Sequence, residues 1–245
     1  MHESVLGLGW GQLIFLLIFF IAYVIQAITG FAGNMLAMPF GIEFLGFASS
    51  VVVLNVCGCM NCGWVAVDAR KHINWHDMAR VIPIMAAGMF VGIWLDTKLS
   101  FELLVLIYGV LVLAVGLKNL IWRKQHELPT WAIWALIPFA GIIQGMYVSG
   151  GALLVIFALQ RWKDKDEFRG SMGFIWTVLN FTYAVQAILA GNLTAATAHV
   201  LLFAVPLALL ATWVGNRIAR KVSVDAFKTL TYVLLVIIGL RLLFL

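Results

Sequence analysis

Apolar runs of about 20 residues recur along the whole chain, separated by short polar and basic stretches. Each such run is long enough to cross the roughly 30 Å hydrocarbon core of a bilayer as a helix. The pattern predicts eight segments, at about 10–40, 47–67, 81–95, 101–121, 131–160, 170–190, 196–216 and 230–245. The first and the fifth are long and broken, at Gly30-Phe31-Ala32-Gly33-Asn34 and at Ser149-Gly150-Gly151.

The order of one long broken segment and three simple ones therefore occurs twice, which predicts an internal repeat. Ile25-Gln26 and Gly33 correspond to Ile143-Gln144 and Gly151 at equal spacing. Leu54-Asn55 matches Leu179-Asn180, each with an amide six residues on, Asn61 and Gln186. Gly92, Ser100-Phe101-Glu102 and Gly116-Leu117-Lys118 match Gly215, Ser223-Val224-Asp225 and Gly239-Leu240-Arg241. The expected organisation is a single transmembrane domain over 1–245, with repeat one at about 10–121 and repeat two at about 131–245.

Composition agrees with this picture: the chain is 63% hydrophobic and only 11% charged, where a soluble domain carries about 25% charge. The first nine residues contain no Lys or Arg, so the first apolar segment is expected to be kept rather than cleaved as a signal peptide. The net charge of +5 does not point to nucleic acid, because the basic residues lie in short loops, where they orient the protein.

Those loops decide the expected topology. Basic residues follow the second segment (Arg70, Lys71, Arg80), the fourth (Lys118, Arg123, Lys124), the fifth (Arg161, Lys163, Lys165, Arg169) and the seventh (Arg217, Arg220, Lys221, Lys228). Only Lys98 and Arg241 of the 16 lie elsewhere. Four basic loops share the cytoplasmic side only if each broken segment returns to the side it started from. Both termini then lie outside, and the second half is inverted relative to the first. The fold class expected is an all-α polytopic membrane protein of two inverted structural repeats, each with one broken or re-entrant helical element plus three transmembrane helices.

Non-helical backbone at membrane depth is tolerated only where it is buried in protein or lines a cavity. The breaks are therefore the candidate substrate site: Gly30, Phe31, Gly33 and Asn34 in one, Ser149, Gly150 and Gly151 in the other. A half-helix that starts after a break directs N–H groups and a positive dipole end at a ligand, which suits a small anion. The intramembrane amides Gln26, Gln144, Asn55 and Asn180 fall at related positions and are expected to line the path or to brace the breaks. No Asp, Glu, Lys or Arg is expected deep in a span, which argues against a carboxylate proton relay. His199 is expected at an interface. Cys57, Cys59 and Cys62 lie in one segment. A thiol-disulfide oxidoreductase using Cys59 and Cys62 is the rival function, and buried packing is the plainer reading. A channel or accessory subunit is a further rival. No catalytic residue, cofactor or metal is expected.

The run Gln26-Ala27-Ile28-Thr29-Gly30-Phe31-Ala32-Gly33-Asn34 leading to Pro39 resembles the TauE/SafE family of membrane permeases. So do its counterpart Gln144-Gly145-Met146-Tyr147-Val148-Ser149-Gly150-Gly151-Ala152 and the stretch Asp68-Ala69-Arg70-Lys71-His72-Ile73-Asn74-Trp75 followed by Gly88 and Gly92. Phe31 and Asn34 stand where small residues are common in that family. The resemblance implies a secondary transporter of small anions, sulfite or organosulfur and organic acids, in a bacterial inner membrane. The partners it implies are the anionic substrate, with a proton as a candidate coupling ion, and the lipid bilayer.

Overall fold

A segment that is apolar on all sides must satisfy its own backbone, and a helix does so without help from neighbours. The computed structural model, which describes residues 8–96, 102–121, 128–147 and 150–243, is helical at every predicted segment. The helices are α1 (Trp10–Thr29), α2 (Gly33–Leu45), α3 (Phe47–Asp68), α4 (Trp75–Asp96), α5 (Glu102–Ile121), α6 (Thr130–Tyr147), α7 (Gly151–Arg161), α8 (Lys165–Leu189), α9 (Ala195–Ala219) and α10 (Val224–Leu243). Among the described residues five of them are long and apolar enough to cross a membrane: α1, α3, α8, α9 and, over Trp75–Leu95, α4.

Three helices begin five or six residues before their apolar run, at Trp75, Lys165 and Val224. The cause is local capping. Asp77 N–H donates to Asn74 Oδ1 at 3.1 Å, Asp166 and Glu167 N–H to Asp164 Oδ1 at 2.9 Å each, and Ala226 N–H to Ser223 Oγ at 3.3 Å. A side-chain acceptor ahead of the first turn satisfies N–H groups that would otherwise have no partner. Polar first turns therefore join each helix, although hydropathy alone excludes them.

The helices group into two compact units, one of residues Met1–Ile73 and Arg169–Lys221, the other of Asn74–Phe168 and Val222–Leu245. Each draws helices from both halves of the sequence.

In the first unit α2 folds back along α1. Gly33 sits against Gln26, Gly41 against Phe15, and Phe44 against Gly11. The apolar face of α1 is a ladder of Phe15, Phe19 and Tyr23, with ring centroids 5.8 and 4.0 Å apart, the i, i+4 stacking that a helix imposes. Helix α9 closes on α1 at Gly215, where a methyl would lie 2.7 Å from Val24 O and 2.6 Å from Ala27 Cβ. Helices α3 and α8 run antiparallel: Gly58 meets Asn180, Gly63 meets Thr177, and Gly173 meets Cys62 O.

The second unit contains the other folded-back pair. Gly150 lies against Gln144 and Ala140 of α6. Farther along, Phe157 of α7 packs edge-on against Trp134 at 5.1 Å, and Gln160 Oε1 accepts from Leu128 N–H at 3.0 Å. Helix α4 packs on α6 through Gly88 and Gly92 against Gly141 and Gly145. A methyl at Gly92 would collide with Ile142 O. Helices α5 and α10 cross antiparallel: a methyl at Gly116 would lie 2.9 Å from Val236 N, and one at Gly239 2.6 Å from Leu113 N. Small residues let backbones approach this closely, the usual device of helix pairs in membranes.

Candidate functional site

The first break is built by two left-handed residues. Gly30, at φ 81°, ends α1 and donates its N–H to Gln26 O at 2.6 Å. Ala32 takes φ 74° immediately before α2, a conformation that disfavours any residue with a Cβ. Gln26 spans the gap. Its Oε1 accepts from Asn34 N–H at 3.2 Å, and its Nε2 donates to Cys62 Sγ of α3 at 2.8 Å. Gly33 is required here, because a Cβ would overlap Gln26 Oε1 and lie 2.7 Å from Gln26 Cβ.

The start of α2 is closed within the chain. Gly33 N–H donates to Phe31 O, Asn34 N–H to Gln26 and Leu36 N–H to Ala32 O. These backbone groups are engaged, so side chains supply the polar surface. Tyr23 Oη, with its single proton, lies 2.8 Å from Asn34 Oδ1 and 2.7 Å from Leu54 O. Asn34 Nδ2 donates to Asn180 Oδ1 at 3.4 Å. Gly58 makes room for this pair: a methyl there would lie 2.7 Å from Asn180 Nδ2 and 3.1 Å from Asn34 Nδ2. Phe31 is 1% exposed and belongs to the core.

Asn55, related in sequence to Asn180, does not join that group. Its Nδ2 donates to Val51 O of its own helix at 2.8 Å, and its buried Oδ1 has no partner among the described residues. Asn61 ties α3 to two neighbours, donating to Tyr23 O at 3.2 Å and to Thr212 Oγ1 at 2.8 Å.

The second break repeats the brace. Gln144 Oε1 accepts from Gly150 N–H at 3.1 Å, as Gln26 does for Asn34. Gly150 and Gly151 are buried. Ser149 lies outside the described residues.

Charged residues are where sequence reasoning went wrong. Arg169, assigned to a basic loop, lies inside α8 and is 2% exposed. Its Nη2 donates to Ala27 O and to Asn216 Oδ1, each at 2.8 Å. Its backbone lies 3.3 Å from where a Gly30 Cβ would stand. Asp77, near the start of α4, has a fully buried side chain. It accepts from Arg161 Nε and Nη2 at 2.9 and 3.1 Å and from Trp162 Nε1 at 3.0 Å. Hydropathy missed both because each sits outside the apolar run, in a turn that capping adds to the helix. A signal was available for Arg169: it is followed by Gly170, Ser171 and Gly173, small residues that draw a neighbouring helix close. Pro83 and Pro206 form a further matched pair, at the same offset as Gly92 and Gly215, that the sequence comparison passed over.

The cysteines are free thiols. Cys57 and Cys62 are buried, Cys59 is half-buried, and the Cys62 sulfur is engaged by Gln26. His199 is half-buried on α9, edge-on to Phe203 at 5.5 Å.

The chain is similar to known proteins along most of its length. The family model described as sulfite exporter TauE/SafE matches residues 14–242. The chain is 26% identical, over 78% of its length and 80% of the relative's, to a probable inner membrane transporter protein TsaS of Comamonas testosteroni. It is 25% identical, over 87% of its length and 86% of the relative's, to a probable sulfite/organosulfonate exporter TauE of Cupriavidus necator. No solved structure matches it. With several helices long enough to span a bilayer and a family match over nearly its whole length, this multi-pass membrane protein, a transporter rather than an enzyme, belongs to the sulfite exporter TauE/SafE family.

Proposed function

We propose that the protein is a secondary transporter that moves sulfite or an organosulfur or organic acid anion across a bacterial inner membrane by alternating access. The observation that carries this reading is the chemistry of the first break. Asn34, Asn180, Tyr23 and Gln26 are neutral hydrogen-bonding groups buried together, with the Arg169 guanidinium at the adjoining end of α1. Such a set offers hydrogen-bond donors to an anion. The relative named a probable sulfite/organosulfonate exporter supports the substrate class. Gly30, Gly33 and Asn34 of the first break line the path, and Gly150 and Gly151 of the second take the matching position in the other repeat. Gln26 and Gln144 hold the breaks in shape.

The inverted repeat belongs to the same proposal. Val24 and Ala27 match Ile142 and Gly145 at the spacing of Gln26 and Gln144, and these are the residues that Gly215 and Gly92 approach. The contacts Gly116–Val236 and Gly239–Leu113 are each other's image under the repeat. They place the related helices α5 and α10 antiparallel, as an axis in the membrane plane requires. Two folded-back elements return the chain to its starting side, which leaves both termini outside.

The test is concentration-dependent efflux of sulfite, taurine or sulfoacetate from proteoliposomes. Saturable efflux of at least one is expected. Flux that rises linearly with concentration and carries channel-like current would overturn alternating access. The absence of any flux would overturn the substrate class.

A further inference from the structure

Three helices converge on a buried polar pair that the sequence did not single out. Arg169 of α8 is 2% exposed, and Asn216, in the last turn of α9, is 5% exposed. Arg169 Nη2 donates to Ala27 O in the last turn of α1. Gly215, next to Asn216, brings α9 against Val24 and Ala27.

The orientation of the Asn216 amide follows from chemistry. A guanidinium has donors only, so the atom facing Nη2 at 2.8 Å must be Oδ1. Nδ2 therefore points away from the arginine. It is a buried donor with no acceptor among the described residues. Buried donors in folded proteins have partners, and one without a protein acceptor marks where a water or a ligand oxygen sits. The neighbour here is a buried cation, and an anion is stabilised beside a positive charge in a low-dielectric setting. Gly30, without a side chain, approaches the Arg169 backbone on the α1 side of this pair.

We infer that Arg169 and Asn216 form an anion-binding station at the end of α1, where Asn216 Nδ2 donates to an oxygen of the oxyanion head group and Arg169 supplies the charge. The station takes the shared chemistry of sulfite and sulfonates, a compact negative group with several acceptor oxygens. This inference rests on the anion-transport reading above. It adds two residues that lie outside the glycine-rich breaks.

Asn216→Asp tests it. An aspartate keeps an oxygen for Arg169 Nη2 and strengthens that contact, so a purely structural role is preserved or improved. It removes the Nδ2 donor and sets a negative charge against the anion. The measurement is the stabilisation of purified protein in detergent by sulfite, taurine and sulfoacetate, with apparent Kd from the dependence on ligand concentration. The expected result is wild-type melting without ligand and a Kd raised at least about tenfold, the scale of a lost hydrogen bond to a charged group. A Kd within about threefold of wild type would mean that water fills the position, and the inference would fall. Arg169→Lys, which keeps the charge and loses the fork, is expected to bind more weakly than wild type and more tightly than Arg169→Gln; equal affinities for Lys and Gln would also overturn it. If wild-type protein binds none of the three anions, the transport reading fails and takes this inference with it. Binding unaffected by Asn216→Asp removes the station alone.

Discussion

The two folded-back helix pairs share one device and differ in what surrounds it. In α1–α2 and in α6–α7 a glutamine on the outgoing helix accepts from a backbone N–H at the start of the returning one, Asn34 for Gln26 and Gly150 for Gln144. Around the first pair lie Tyr23, Asn34 and Asn180, with Arg169 at the end of α1. Around the second lie Trp134, Phe157 and Trp162, fastened by the ion pair of the buried Asp77 with the exposed Arg161. A shared brace means that both turns need the same closure of their helix start. The different surroundings imply a division of work: the first pair offers ligand chemistry, and the second is held by aromatic packing and one strong ion pair. The buried Asp77 carboxylate, held by Arg161 and Trp162, is costly to leave unpaired, which suits an anchoring role.

Alanine at the two glycines should separate these roles most sharply. At Gly150 a Cβ meets the backbone oxygen of Ala140, which has little freedom to move. Gly150→Ala is expected to cost about 3 kcal/mol, the upper part of the overpacking range, seen as a large drop in melting temperature in detergent. At Gly33 the Cβ meets Gln26 Oε1, which can swing away at the loss of its brace, and Gln26 Cβ at 2.7 Å, which is fixed to the backbone. Gly33→Ala should therefore cost roughly 2 kcal/mol and also abolish transport. Normal flux through a folded Gly33→Ala protein would remove the first break from the path.

Replacing the braces themselves should have a smaller, graded effect. Gln26→Leu strands the Asn34 N–H and the Cys62 thiol contact, whereas Gln144→Leu strands the Gly150 N–H. A buried donor left unmade costs roughly 1–3 kcal/mol. Chemical or thermal unfolding should place Gln26→Leu lower than Gln144→Leu, and the reverse order would show that the second pair carries the heavier load.

The smallest effect concerns the thiols. Cys57→Ala with Cys59→Ala is expected to leave flux intact, as befits packing residues. Cys62→Ala should lower stability by about 1 kcal/mol, because Gln26 Nε2 loses its acceptor, and Cys62→Ser should restore it. Equal melting of the Ala and Ser proteins would show that the sulfur contact has no weight. Loss of transport in the double variant would revive a redox role.

Helix positions were legible because an apolar run of span length has one way to satisfy its backbone. The breaks were legible because Gly30, Gly33 and Gly150 interrupt such runs. The errors have a common origin as well. Arg169 was read as a loop residue and Asp77 was not singled out, since hydropathy averages a window and cannot see a cap. Asn74 and Asp164 extend α4 and α8 past the apolar onset and carry those charges into the helices. The related amides illustrate a second limit. Asn55 and Asn180 occupy matching positions, but one bonds its own helix and the other reaches Asn34, a choice set by the neighbour across the gap.

By itself the sequence determined the membrane class, the number and placement of the apolar segments, the two breaks and the matched glycines, all of which follow from local length, hydropathy and backbone freedom. Tertiary structure alone decided that Gln26 and Gln144 close the helix starts, that Arg169 is buried against α1, and that Asn216 presents an amide donor without an acceptor among the described residues. Those facts depend on which side chains meet across helices far apart in the chain. A hydrogen bond reports the position of two atoms in space, and spacing along the chain does not encode it.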